Sequence, residues 1–597
     1  MRFGAALALV LLLVLALVLP GLGAAPLERA EIYFLDVARA MVETGDWLVP
    51  RYEGEPFFDK PPLVYWLMAV AFLGLGPETG AARLVPALAA LGLVLATAWM
   101  GTLLYDRRTA LAGAVILSTT LAFLTFARVA MSDMVLALST TLAVALCLHA
   151  LAPGRPAFVL PVLGAVLGLG FAAKGPIAIL VPGLAFVLLL ARSRRRLFAF
   201  ARGELALGAV LFAALGLGWY VLVSLRLGAA PLAYFFLREN LERFAGGAYD
   251  VGRPFWFYAP AYAAGGLPWS LLAPIALWRL LSSGGGDEGP PARFLAGWVA
   301  LVLVPLSLSR GKIDYYLLPL YPALSLLIGR FLVASPWRRL DRLWIRVSLV
   351  VLAASLALVA AHPPAVPRGW LPGPAAQAAL FGVVLLTVIA ALVAVFRLRS
   401  SLVMVALAGG MAASWLVLVA FFLPAFAAAQ PNPAIVADVA RELRYQPDLR
   451  LVTCTDPTRA RRDVLFHVRL RTEERCDLWG LAASRVPYLL LIGPEESRSF
   501  QTIPHYREVA RYTCLPAEVL TLDGLLRLSE PWPLVLAANF ATTDPVAVRK
   551  HKREYRKAIR RARAAARRAG GDDRKEGPRP HRRKRLLGGG PAALPRR

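Results

Sequence analysis

The chain has 597 residues, 58% hydrophobic and 17% charged, with a formal net charge of +28 at pH 7 and a mean hydropathy of +0.59. That balance excludes a water-soluble globular fold and defines a polytopic helical membrane protein. The Lys and Arg excess sits in short loops and in a tail after Val548, so it reads as membrane topology and lipid-headgroup contact, with no nucleic-acid partner expected.

A helix crossing the hydrocarbon needs about 20 apolar residues. Apolar runs between charges give about thirteen candidate spans, centred near residues 12, 95, 118, 143, 165, 184, 214, 273, 302, 325, 352, 385 and 413. The first run, Phe3 to Leu22, is expected to be a retained span rather than a cleaved signal peptide, because the alternation of loops then closes. Arg2, Arg107 with Arg108, Arg155, Arg192 to Arg196 with Arg202, Arg279 with Arg293, Arg338, Arg339 and Arg342, and Arg397 with Arg399 fall in alternate loops, which makes those loops cytoplasmic. The opposite loops hold Glu28 to Trp66, Arg128 to Asp133, Lys174, Arg226 to Gly266 and Arg310 to Tyr316. All the unusual polar residues then share the outer face.

Three regions follow: a membrane domain over residues 1–428 with its first outer loop over 25–83, a polar α/β region over 429–545, and a basic tail over 546–597. The tail is expected to be disordered. Within the polar region the pattern predicts helices at Ala434 to Arg444 and Ala517 to Leu528, and strands at Leu449 to Cys454 and Tyr488 to Ile492. A region of this size buries its own core, and thirteen spans place it outside the cytoplasm. Cys147 reads as a small buried hydrophobe, while Cys454, Cys476 and Cys514 leave any disulfide pairing open.

The first outer loop is the densest in chemistry. It runs through Glu31, Tyr33, Asp36 and Arg39, then Gly45-Asp46-Trp47, then Asp59-Lys60-Pro61-Pro62 and Tyr65-Trp66. Charges and irregular backbone cost several kcal/mol each inside hydrocarbon, so the loop belongs at the membrane face. The pattern predicts a short interfacial helix, with Asp36, Arg39, Glu43 and Asp46 on a solvated face and Trp47, Tyr65 and Trp66 at headgroup level.

These residues resemble the first outer loop of the GT-C membrane glycosyltransferases, in the branch of the lipid A aminoarabinose transferases and the protein O-mannosyltransferases. Further matches follow in order: Ala127-Arg128 with Ser132-Asp133, Ala173-Lys174-Gly175-Pro176, Arg238-Glu239-Asn240 with Glu242-Arg243-Phe244, Pro254-Phe255-Trp256 with Leu267-Pro268-Trp269, and Ser309-Arg310-Gly311-Lys312 with Tyr315-Tyr316. The resemblance implies a GT-C fold of about thirteen helices with a small C-terminal α/β extracytoplasmic domain. It also implies an inverting transfer of a sugar from an undecaprenyl-phosphate-like donor to an envelope glycolipid, polysaccharide or protein at the outer face of the inner membrane.

Such a transfer needs a carboxylate to take the acceptor proton and cations to stabilise the leaving phosphate. Glu31 with Asp133 are the candidate catalytic carboxylates, and Lys60, Arg128, Lys174, Arg243 and Lys312 the candidate phosphate ligands. Lys174 also reads as a helix-end lysine snorkelling to the interface. Tyr33, Asp59, Tyr65, Tyr315 and Tyr316 are expected to line the site, and Asp59 with Asp250 are candidate ligands for a divalent metal. The chain departs from the family it resembles at Ala30, where many members of the aminoarabinose type carry Asp, at Tyr33-Phe34 in place of Arg-Tyr, and over Gly247 to Arg253, which lacks a histidine often found there. A transporter or flippase, or an envelope-assembly scaffold, is the rival class. A transporter calls for inverted repeats and charges near span centres, whereas here the charges cluster at outer span ends.

Overall fold

The computed structural model describes residues 2–25, 27, 30–152, 154–190, 201–242, 253–282, 289–334, 336–361, 373–425, 432–445, 450–453, 471–474, 488–492, 507–514 and 532–538. They divide into two compact units: Met1–Ala25, Tyr33–Pro363 and Pro372–Pro424 form the first, and Pro26–Ile32, Pro364–Leu371 and Ala425–Arg597 the second.

The first unit is helical. Among the described residues, seven helices are long and apolar enough to cross a membrane, and a pair bent by 115°, Phe255–Gly265 and Trp269–Leu281, makes an eighth if it counts as one span. Shorter apolar helices occur at Phe3–Val18 (α1), Leu63–Leu75 (α3) and Val159–Lys174 (α8). Helix α3 lies inside the stretch that the sequence assigned to the first outer loop. Its 13 residues fall below the span length of about 20 that the search required.

Lipid tails are as apolar as leucine, so membrane helices are held by close packing rather than by the hydrophobic effect. Gly164 of α8 shows this. A Cβ at that position would stand 2.0 Å from the carbonyl oxygen of Gly208 on the helix Arg202–Phe212. Only glycine admits that approach. Buried polar side chains tie other elements together. Two arginines hold the chain leaving α1: Arg83 donates to the carbonyls of Leu22 (2.9 Å) and Ala25 (2.8 Å), and Arg128 to those of Val18, Pro20 and Gly21. The Val18 carbonyl is an orphan of the helix end, which a planar guanidinium fork satisfies well.

The second unit carries the helix Asn432–Tyr445 and a five-stranded mixed sheet. With Arg51–Tyr52 and Glu55–Pro56 as the hairpin β1–β2 of the first unit, its strands are β3 Arg450–Thr453, β4 Arg471–Glu474, β5 Tyr488–Ile492, β6 Arg507–Cys514 and β7 Trp532–Ala538, in the order β4-β3-β5-β7-β6. Strand β3 pairs parallel to β4 and β5, and β7 antiparallel to β5 and β6. Tyr512 donates a hydrogen bond to the Asp438 carboxylate at 2.5 Å, joining β6 to the helix. The helix and the strands β3 and β5 stand where the sequence pattern put them. Ala517 to Leu528, Cys454, Cys476 and the basic tail lie outside the described residues.

Candidate active site

Glu31 opens the helix Glu31–Thr44 (α2) and is fully buried. The loop that follows is tightly organised by its own polar groups. Asp46 Oδ1 accepts from the backbone N–H groups of Leu48 and Val49 and from Arg226, while the Trp47 and Leu48 carbonyls accept from the indoles of Trp66 and Trp219, each at 2.8 Å. Burial opposes ionisation of Asp46, but those backbone donors and the Arg226 guanidinium outweigh it and hold its carboxyl below the usual range. Asp36 goes the other way. Burial pushes its carboxyl up against the Glu53 N–H and the Arg39 charge.

The expected solvated face is met only in part: Glu43 is exposed, but Arg39 is buried, and the half-buried Asp36 accepts from the Glu53 backbone N–H at 3.0 Å. Tyr65 is also fully buried, and faces Phe34 with ring centroids 5.3 Å apart. Tyr33 packs on Phe34 and Phe57.

Asp59 and Lys60 leave the hairpin just before Pro61-Pro62, whose fixed φ angles stiffen the entry to α3. The Lys60 ammonium donates to the Asp59 carbonyl at 2.8 Å and lies 3.5 Å from the Glu239 carboxylate. The Asp59 carboxylate accepts from the Tyr234 hydroxyl at 2.9 Å. Tyr234 and Glu239 both belong to the π-helical turn Tyr234–Glu242. On an α-helix, residues five apart point about 140° away from each other. In a π-turn, whose hydrogen bonds run from i to i+5, they return toward one face. Two adjacent loop residues are thus met by two side chains of one turn. Beside them the Tyr65 hydroxyl has no hydrogen-bond partner and feels the charges of Asp59 and Glu239.

A second pair is formed by Asp133, in the first turn of the helix Asp133–Ala150 (α7), and Lys174, in the last turn of α8. The Lys174 ammonium also lies 5.6 Å and 5.2 Å from the ring centroids of Tyr315 and Tyr316, within cation–π range. After it Gly175, at φ +81°, ends α8 where any Cβ would stand 2.7 Å from the Phe235 ring. That contact brings the π-turn against the end of α8. A third group surrounds Lys312: its ammonium donates to the Ser309 carbonyl at 2.5 Å, and its own carbonyl accepts from Arg253 at 2.8 Å.

The predicted residues Asp59, Lys60 and Tyr65 thus cluster, and so do Asp133, Lys174, Tyr315 and Tyr316. The Arg128 guanidinium is engaged with three carbonyls at and beyond the end of α1. Arg243 and Asp250 lie outside the described residues. Sequence reasoning did not single out Glu239 or Tyr234. Glu239 stood in a quoted motif, but nothing in the sequence paired it with Lys60. Among the described residues no three His, Cys, Asp or Glu side chains converge as a metal site, and Asp59 alone falls well short of the six or so oxygens a hard divalent cation takes.

Fold and site define a multi-pass membrane protein with lysine–carboxylate pairs edged by tyrosines. Comparisons with known proteins show what it is similar to. A profile of the dolichyl-phosphate-mannose-protein mannosyltransferases matches residues 59–220. The undecaprenyl phosphate-alpha-4-amino-4-deoxy-L-arabinose arabinosyl transferase of Pseudomonas paraeruginosa is 34% identical over 334 residues, 55% of this chain and 59% of that protein. One of the two from Sodalis glossinidius is 31% identical over 52% of this chain and 56% of its own length. This chain therefore spans well under two thirds of these curated relatives. The crystal structure of ArnT from Cupriavidus metallidurans bound to undecaprenyl phosphate superposes with a TM-score of 0.69, at 21% identity, covering 91% of this chain and 98% of that one. The resemblance that the motifs carry is shown, and the fold is that of ArnT.

Proposed function

We propose that this protein is an inverting glycosyltransferase that moves a sugar from an undecaprenyl-phosphate-type donor to an envelope glycolipid, polysaccharide or protein. The observation that carries it is the cluster of Asp59, Lys60, Tyr234 and Glu239 beside the unpartnered Tyr65 hydroxyl. A buried hydroxyl without a partner, within reach of the two carboxylates that flank Lys60, is where a ligand oxygen belongs. The relatives' names supply its class, since the curated ones act on an undecaprenyl-phosphate-linked sugar.

In the proposed step the acceptor hydroxyl attacks the anomeric carbon from the face opposite the phosphate. The bond from that carbon to the phosphate oxygen breaks, the hydroxyl proton passes to a carboxylate, and the carrier leaves as a phosphate anion. Glu31 is the proposed base. Lys60 and Lys174 meet the charge developing on the phosphate, and ammonium groups in a site sheltered from water do so strongly. Asp133 holds Lys174 in place, and Tyr315 and Tyr316 line the donor site.

The reading includes about thirteen spans, a bacterial inner-membrane location, the first loop and the C-terminal unit on the periplasmic side, and an envelope acceptor of the lipid A type. A divalent ion on Asp59 belongs to it only if Asp250 and further oxygens complete the site, and no step requires one. The test is mass analysis of envelope glycolipids and glycans from cells with and without the protein. A glycan or lipid species lighter by one sugar in its absence, restored by the wild-type chain and not by Lys60→Ala, is expected. Identical profiles would overturn the assignment.

A further inference from the structure

The geometry points to Glu239 as a resident counter-ion: it neutralises Lys60 while the donor site is empty and yields the ammonium when the carrier phosphate arrives. This rests on the proposed role of Lys60 as phosphate ligand and adds to it how the carrier enters and leaves.

Three observations support it. First, the pair is largely removed from solvent, with 15% of the Lys60 side chain and 2% of the Glu239 side chain exposed. An ammonium and a carboxylate so placed each need a charged partner, because an unpaired charge loses its hydration with nothing in return. Second, the 3.5 Å separation is that of a loose ion pair rather than a short charge-assisted hydrogen bond. A short contact of the ammonium goes to the neutral Asp59 carbonyl, at 2.8 Å. Lys60 is thus placed by the backbone and neutralised by Glu239, and these two functions separate when an anion competes. Third, the π-turn that brings Glu239 to Lys60 also brings Tyr234 to Asp59. Asp59 is the adjacent carboxylate and a ready competitor for the ammonium. Asp59 is engaged with a hydroxyl, whereas Glu239 faces the ammonium as the exchangeable anion.

When a phosphate reaches Lys60, two anions share one cation, and repulsion between them raises the free energy of the bound state. The same repulsion helps expel the carrier phosphate once its sugar has gone. Glu239 therefore trades donor affinity for carrier release. It is a positioning residue and does not itself touch the sugar.

The test measures binding and dissociation of undecaprenyl phosphate with the purified full-length protein in nanodiscs, for wild type, Lys60→Met, Glu239→Gln and the double variant. Expected are weaker binding in Lys60→Met, several-fold tighter binding with slower dissociation in Glu239→Gln, and no effect of Glu239→Gln in the Lys60→Met background. Unchanged or weaker binding in Glu239→Gln, or equal tightening without Lys60, overturns the counter-ion while leaving Lys60 as the phosphate ligand. If Lys60→Met binds like wild type, the reading of Lys60 falls, and the counter-ion with it. Glutamine keeps an oxygen toward Lys60. Should Glu239→Gln still fail to fold, Glu239→Asp, which draws the carboxylate back by one methylene, is expected to shift binding the same way by less, and binding no tighter than wild type overturns the proposal.

Discussion

Lys174 and Asp133, 41 positions apart in sequence, form one ion pair between the last turn of α8 and the first turn of α7. Each charge also suits its own helix: a cation at a C-terminus and an anion at an N-terminus both oppose the macrodipole. The pair thereby locks two membrane helices at one end and sets the Lys174 ammonium over Tyr315 and Tyr316.

Breaking that pair leaves one buried charge alone. Lys174→Ala or Asp133→Asn is expected to cost about 3–5 kcal/mol of stability, read as a lower midpoint in thermal unfolding of the detergent-solubilised protein. Lys174→Met combined with Asp133→Leu is expected to restore most of the midpoint without restoring transfer. Restored transfer in the double variant would remove both residues from the site.

Gly175 has no tolerance for a side chain. At φ +81° an L-residue is strained, and its Cβ would meet the Phe235 ring at 2.7 Å. Gly175→Ala is expected to cost at least about 1–2 kcal/mol for the backbone alone, and to reduce transfer further by moving the π-turn that carries Tyr234 and Glu239. Adding Phe235→Leu should recover part of both, because it removes the clash but not the strain. A fully active Gly175→Ala would show that the π-turn does not position the site.

The three carbonyls held by Arg128 predict a structural phenotype. Arg128→Lys keeps the charge but lacks the planar fork, so it is expected to lose at least one charge-assisted hydrogen bond, about 1.5–3 kcal/mol. Thermal unfolding checks this. An unchanged midpoint together with weaker undecaprenyl-phosphate binding would instead return Arg128 to the donor site.

The two displaced carboxyls of the first loop give opposite pH signatures. Asp36 is raised in the folded protein, so its folded form binds more protons just above the ordinary aspartate value of 3.8. Its stabilising contribution is complete below that pH and is lost as pH rises through the folded value. Asp46 is lowered, so its contribution is present above 3.8 and is lost as pH falls below it through the folded value. Asp36→Asn should flatten the stability profile on the higher side of 3.8, and Asp46→Asn on the lower side, in unfolding midpoints followed across acidic pH. A profile unaltered by either substitution would contradict these environments.

Much of the site was legible because of what a membrane forbids. Charges excluded from hydrocarbon gather at span ends, so Asp59, Lys60, Asp133, Lys174 and Lys312 stood out against apolar runs before any fold was known. Helix α3 escaped for the same reason in reverse, since its 13 apolar residues resemble the end of a loop to any search tuned to full spans.

Composition and charge spacing alone determined that the chain is a multi-pass membrane protein and that its polar chemistry gathers at span ends. Both follow from the cost of placing charge and open backbone in lipid, which each segment meets by itself, while the likeness to carrier-lipid glycosyltransferases rests on the resemblance of its motifs. Partnership was decided only in three dimensions. That Glu239 meets Lys60, that Asp133 meets Lys174, and that Arg128 turns to backbone carbonyls depends on a π-turn, a glycine at positive φ and helices packed through glycine contacts. These bring together residues about 40 to 180 positions apart, and no local pattern in the chain records which of the distant groups each one will reach.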